Sequence, residues 1–377
     1  MTVARVAVLA LVSLAILVYT YAGYPIVIGV LARLSPLRLR EDPAYLPRVT
    51  ACIPVFNAEG YVDEKVESLL ALDYPADKLE IFLYSDGSTD GSEAKIEALA
   101  ARDPRVKLLR AEARGGKPRG VNRMRELASG EVLLMTDIRQ PLVPGALRAL
   151  MRKLADPSVA CVSGNLTLRG NAGAGAYWRY ENWIRRQEAN FRGMVGVTGP
   201  IYAIRRADMA PLPEGVILDD MWVPMRLRLE GRRILFAEDA IAWDEAFADD
   251  REYGRKVRTL AGNYQLFSLL PRLLLPFGNP SWFETFSHKI LRLVCPWALV
   301  ALLAASLAGA LLPSSDPPFV QLALRVLLGG QAAFYLLAIV GERLGKLGSL
   351  CRTFVVLNTA AVVGLYRFVR GAQKVTW

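Results

Sequence analysis

Four carboxylates stand where an α/β chain could use them for chemistry. Asp86 closes an apolar run in Ser85-Asp-Gly-Ser-Thr-Asp-Gly91, and Asp137 closes another in Met135-Thr-Asp-Ile-Arg-Gln140. Asp219 and Asp220 open the amphipathic stretch Ile217-Leu-Asp-Asp-Met-Trp222. Such groups can accept hydrogen bonds from a base or sugar edge, hold a divalent cation and act as a general base. Singly, each also has a plain structural reading. The first string is rich in turn formers and caps, Asp137 suits a turn, and paired acids in a first turn favour a helix dipole. Their order and combination argue for function.

Other chemistries are excluded by residue type. One histidine, His288, leaves no histidine-rich metal centre and makes a Ser/His triad improbable. The four cysteines (Cys52, Cys161, Cys295, Cys351) form no C-x-x-C pair, which argues against a zinc site or a disulfide framework. Gly116-Lys117 is followed by Pro118, and Ala111 stands where a phosphate-binding loop needs its first glycine. No G-x-G-x-x-G follows a strand. Reactions here must run on carboxylates, Lys, Arg and a metal ion. The balance of 46 basic against 36 acidic residues suits an anionic partner: nucleic acid, phospholipid headgroups or a phosphorylated substrate.

The elements that position these groups follow from hydrophobic patterning. Thr50–Phe56, Leu79–Tyr84, Val106–Leu109, Glu131–Thr136 and Val159–Val162 read as strands, and most are followed by helical periodicity such as Val62, Val66, Leu69 and Leu70. That alternation predicts an α/β fold with a mostly parallel sheet and helices on both faces, with ligands at the carboxyl ends of the strands.

A composition of 53% hydrophobic and 22% charged residues is too apolar for an ordinary soluble enzyme and too polar for a membrane bundle. Val6–Ala32 carries no charge and is followed by Arg33, Arg38 and Arg40, so it predicts a span with its N-terminus external. Leu293–Ser315 and Pro317–Gly341 predict two more, joined by an external turn at Pro313–Pro318. Thr353–Tyr366 is shorter, and a re-entrant helix competes there with a span. Leu266–Pro276 reads as an interfacial helix. The expected organisation is an anchor over 1–34, a cytoplasmic catalytic domain over 35–262, an interfacial region over 263–287 and a membrane region over 288–377.

Ile53-Pro-Val-Phe-Asn57, Ser85-Asp-Gly-Ser-Thr-Asp90, Gly116-Lys117 with Asn122, Thr136-Asp137, Leu218-Asp-Asp220 and Arg255-Lys-Val-Arg258 come in the order seen in family-2 glycosyltransferases of GT-A fold. The chain resembles that family over nearly its whole length, with terminal spans like those of the hyaluronan, chitin and poly-N-acetylglucosamine synthases. The resemblance implies that Phe56 and Asp86 hold a nucleobase in a pocket shaped by Pro54, Asn57 and Glu59. Lys117 and Asn122 would serve the donor, Asp137 would bind Mg²⁺ or Mn²⁺, and Gly199 would lie on the acceptor side. Asp220, beside Asp219, would be the general base, with Arg255 and Arg258 on the departing nucleoside diphosphate. Partners would be a nucleotide-sugar donor, a glycan or lipid acceptor, membrane lipids and export subunits, with no nucleic acid. Two positions depart from the pattern. Arg139 stands where the metal motif usually has its second acid, and Thr259 stands where processive synthases carry Trp. The expected function is inverting transfer to a growing polysaccharide, since anchors flank both ends of the catalytic domain; a membrane lipid acceptor and a non-catalytic binding subunit are the alternatives.

Overall fold

The computed structural model describes residues 3–169, 175–245, 249–313 and 317–373. The chain divides into two compact units. One holds Leu31–Ala248 and Gln265–Trp282; the other holds Met1–Val30, Asp249–Tyr264 and Phe283–Ala372.

In the first unit the described strands form one seven-stranded sheet: β1 (Val49–Val55), β2 (Leu79–Ser85), β3 (Val106–Arg110), β4 (Val132–Thr136), β5 (Val159–Leu168), β6 (Ile201–Arg205) and β7 (Arg233–Asp244). Their order is β3-β2-β1-β4-β6-β5-β7. β1 pairs in parallel with β2 and with β4, whereas β6 runs antiparallel to β4 and to β5. All five expected strands form. β6 and β7 complete the sheet, and the antiparallel β6 makes it mixed. Every residue of β1 is buried, as a central strand covered on both faces requires.

The chain leaves β1 for β2 on one side and later returns to β4 on the other, so the switch point of the sheet lies between β1 and β4. In open α/β sheets, the crevice beyond the strand ends at such a point is where ligands bind. Phe56 follows β1, Asp86 follows β2 and Asp137 follows β4. Helix Glu59–Leu70 closes on the sheet through a stripe at helical spacing, with Val62, Lys65, Val66 and Leu69 all buried. Helix Ala146–Leu154 does the same through Leu147, Leu150, Met151 and Leu154.

Among the described residues four helices are long and apolar enough to cross a membrane: Val3–Leu34, Trp282–Leu311, Pro318–Val340 and Gly345–Val369. The last absorbs Thr353–Tyr366, which is one part of a 25-residue helix. Val3, Val6, Ala10 and Leu17 pack against Cys295, Ala298, Leu302, Ala305 and Leu324 in the core of the second unit. Gln331 Nε2 donates to Ser306 Oγ across two of these helices at 3.0 Å, a polar tie of the kind used where water is absent. Residues 314–316 of the expected external turn lie outside the described residues. The separate helix expected over Leu266–Pro276 does not form. Helix Asp249–Leu269 runs into that segment instead, and a short 3₁₀ turn, Pro271–Leu274, follows it. Proline cannot donate the next intrahelical bond, so the helix stops before it.

Candidate active site

Asp137, after β4, and Asp219, at a helix start, meet at one lysine. Gly116, at φ 81°, caps helix Lys117–Leu127, a conformation that a residue with a Cβ resists. Lys117 therefore begins the helix, and its Nζ lies 3.1 Å from Asp137 Oδ1 and 3.2 Å from Asp219 Oδ1. Burial alone would lower the lysine's pKa. The carboxylates of Asp137, Asp219 and Asp220 outweigh burial and hold it above the usual lysine range. The ammonium is thus a permanent charge at the centre of the cluster.

The two acids of Leu218-Asp-Asp220 lie differently. Asp219 is 5% exposed and its Oδ2 is buried without a hydrogen-bond partner among the described residues. Asp220 stands against the loop before β6, where a Cβ on Gly199 would come within 2.7 Å of Asp220 Oδ2. Val197 N–H donates to the Asp220 carbonyl at 3.3 Å, tying the same loop to the helix start. The fully buried Tyr202 has a phenol raised far above its ordinary pKa by burial and then by the charges of Asp219, Asp220 and Asp137.

On the other side of the crevice, Asp86 is 1% exposed and accepts N–H bonds from Gly115 at 2.7 Å and Gly116 at 2.9 Å. These bonds fasten the Gly-Gly-Lys loop to the end of β2. The Arg114 guanidinium stands 3.7 Å over the Phe56 ring. Pro54 lies inside β1, in register with Tyr84.

Three expected pocket residues are engaged by backbone. Asn57 Oδ1 accepts from Thr89 N–H at 2.8 Å, and Asn57 itself has φ 45°. Glu59 Oε2 accepts from Gly91 N–H at 3.2 Å. Asn122 grips Leu212 twice, donating to its carbonyl at 2.9 Å and accepting from its N–H at 2.7 Å. These side chains secure the loops that frame the crevice. Arg139, expected beside Asp137, extends to the end of β7, with its Nη2 3.7 Å from Asp244 Oδ1 and its guanidinium 5.5 Å from the Tyr61 ring. Arg255 and Arg258 belong to the second unit, on helix Asp249–Leu269.

Sequence reasoning missed Arg114 and Lys65. Lys65 is fully buried, and its Nζ donates to Thr136 Oγ1 and to the Gln140 carbonyl. A signal was present: Lys65 occupies the inward stripe between Val62 and Val66, where an ordinary surface lysine has no place.

The donor set also bears on a metal ion. Asp137 and Asp219 share the Lys117 ammonium, Lys65 lies behind the Asp137 turn, and the nearby Arg139 reaches Asp244. Among the described residues no group of three ligating side chains forms a preformed cage. Asp137 is the carboxylate that would hold a magnesium-type ion, which needs only one or two protein carboxylates and would supply positive charge there.

A mostly parallel sheet with these residues at its switch point defines a GT-A-like α/β fold. Residues 50–210 match the family described as glycosyl transferase family 2. In structure the chain is similar to the mannosyltransferase PcManGT from Pyrobaculum calidifontis, solved in complex with GDP-Man and Mn²⁺. The TM-score is 0.74 at 24% identity, covering 96% of this chain and 99% of that one, a likeness of fold. In sequence it is 23% identical over 282 residues to a beta-monoglucosyldiacylglycerol synthase from Synechocystis sp., covering 71% of this chain and 59% of the relative. It is 26% identical over 176 residues to an N-acetylglucosaminyltransferase from Rhizobium meliloti, covering 44% and 41%. The chain spans less than two thirds of the length of these curated relatives.

Proposed function

We propose that this chain is a membrane-embedded inverting glycosyltransferase that takes a sugar from a nucleoside-diphosphate donor and passes it to a hydroxyl presented at the membrane. The observation that carries this reading is the placement of Asp220 against Gly199, one residue from the Lys117-bound Asp219 and across the crevice from Asp86. Phe56 and Asp86 receive the base, by stacking and by accepting an imide proton. For the base to reach both, Arg114 and the Gly115–Gly116 loop must yield their present contacts. Lys117 faces the diphosphate and donor sugar. A bound divalent cation at Asp137 supplies charge neutralisation of the diphosphate. The acceptor oxygen attacks the anomeric carbon while its proton passes to Asp220. The bond from that carbon to the diphosphate oxygen breaks, and the nucleoside diphosphate departs with its charge offset by Lys117. A base on one face and a leaving group on the other give inversion.

The acceptor we favour is a membrane lipid. The relative named as a beta-monoglucosyldiacylglycerol synthase aligns over more of this chain than the N-acetylglucosaminyltransferase does, and Thr259 follows Arg258 where a stacking Trp would serve a processive enzyme. A growing polysaccharide is the competing acceptor. In this reading the catalytic unit is cytoplasmic, where nucleotide sugars are found, and the N-terminus is external. The test is nucleoside-diphosphate release by purified protein in lipid vesicles across a panel of nucleotide sugars, with product analysis. A lipid-linked monosaccharide supports the reading, and long glycan chains overturn the lipid acceptor. No release with any donor overturns the enzyme reading and leaves a binding subunit.

A further inference from the structure

Lys65 lies outside the site just described yet is bonded to two of its supports. It sits on the inward face of helix Glu59–Leu70, and its side chain is fully buried among Val62, Val66 and Leu69. Its Nζ donates to Thr136 Oγ1 at 2.6 Å and to the Gln140 carbonyl at 2.5 Å. Thr136 in turn donates its hydroxyl proton to the Pro200 carbonyl at 2.7 Å. Thr136 and Gln140 bracket the turn that carries Asp137. Pro200 follows Gly199, the residue against which Asp220 rests. One buried ammonium therefore links a helix, the turn bearing the cation carboxylate and the loop that backs the general base.

Burial pushes the Lys65 pKa down to about 7, against the pull of Asp137, which expresses the desolvation cost of keeping a charge there. A costly buried polar tie between catalytic supports is retained for geometry rather than for stability.

We infer that Lys65 is a positioning residue that sets the separation between the Asp137 turn and the Gly199–Asp220 contact through the relay Lys65–Thr136–Pro200. The inference rests on the proposed roles of Asp137 and Asp220. Without the ammonium, the Gln140 carbonyl loses its donor and Thr136 is held from one side only. The two carboxylates then drift relative to one another, while Phe56 and Asp86, on the far side of the crevice, keep their places.

The experiment compares full-length Lys65→Met with the parent in lipid vesicles. Methionine keeps the length and removes the donor. Steady-state kinetics would use whichever sugar donor the parent accepts, together with melting temperature and crystal structures of both forms. The expected result is a kcat lowered by about 10²-fold, as for sub-ångström to ångström misplacement of reacting groups, with donor KM changed only a few-fold. The melting temperature should stay within a few degrees of the parent's, since relief of the buried charge and the loss of the Gln140 donor oppose one another. An unchanged kcat overturns the inference. So does a joint loss of kcat, donor KM and melting temperature, which would make Lys65 a general packing residue. If the parent releases no nucleotide from any donor, the proposed function fails and the crystal structures decide the positioning role alone. A shifted Asp137 turn supports it, and superimposable positions of Asp137, Gly199 and Asp220 overturn it.

Discussion

Gly199 and Asp220 are in close contact: a Cβ on Gly199 would lie 2.7 Å from Asp220 Oδ2. A methyl group there forces the carboxylate to move, because the nearest atoms to that Cβ all belong to the Asp220 side chain. Gly199→Ala is expected to lower turnover by about 10²-fold through misplacement of the base. Binding of nucleoside diphosphate, read by calorimetry, should stay within a few-fold. Full turnover in the variant would remove Asp220 from the reacting centre.

Asp220→Asn keeps the size of the side chain and removes its basicity. Transfer should fall by about 10²–10⁴-fold, the usual cost of losing a positioned base, while donor affinity survives. Asp86→Ala should do the reverse, weakening donor binding first, since Asp86 organises the Gly115–Gly116 loop at the base pocket. Turnover and calorimetric affinity measured side by side for both variants separate these roles. Loss of donor binding in Asp220→Asn would make that residue structural.

The charge balance around Lys117 predicts metal dependence. Treatment with EDTA should abolish transfer, and Mg²⁺ or Mn²⁺ should restore it, because the Lys117 ammonium is already shared by Asp137 and Asp219 and a departing diphosphate needs further positive charge. Arg139 reaches toward Asp244, so Arg139→Ala should leave the metal concentration for half-activation within about two-fold, a change far below one tenfold step. Its effect belongs to stability, because Asp244 is buried. A marked gain in metal affinity would instead return Arg139 to the cation site.

Lys65 gives a pH signature in the folded protein. Its folded pKa is pushed down to about 7 from an ordinary value of 10.5 by burial. Between those values the unfolded chain binds a proton that the folded chain lacks, so the contribution of this residue to stability rises as pH climbs through that window. Below about pH 7 both states are protonated and the penalty of the buried charge is felt in full. The melting temperature of the parent should therefore gain on that of Lys65→Met between neutral and alkaline pH. Parallel curves would show that the ammonium is not desolvated as described.

The sequence alone sufficed for the class of fold and for the placement of two acids. Asp86 and Asp137 each terminate a β-rich run, and in a sheet of alternating strands and helices the ends of such parallel strands emerge at one rim. Asp219-Asp220 open a helix after the antiparallel β6, so only the fold brings them to Lys117. The same reasoning located apolar segments, because a membrane-crossing helix is written in consecutive residues. What local pattern could not decide is which distant group each side chain meets. Arg139 and Asn122 looked like site residues by position. Arg139 found Asp244 on β7, and Asn122 found the Leu212 backbone. Lys65 looked like one more charge on an amphipathic helix, but the packing of that helix on β4 turned its ammonium inward to Thr136 and Gln140. The antiparallel insertion of β6 between β4 and β5 belongs to the same class, because strand order is set by long-range pairing and burial rather than by the residues of the strand. Residue type and spacing determined which chemistry was present, and only the tertiary structure decided its partners, since hydrogen bonds and ion pairs form through space between segments far apart in the chain.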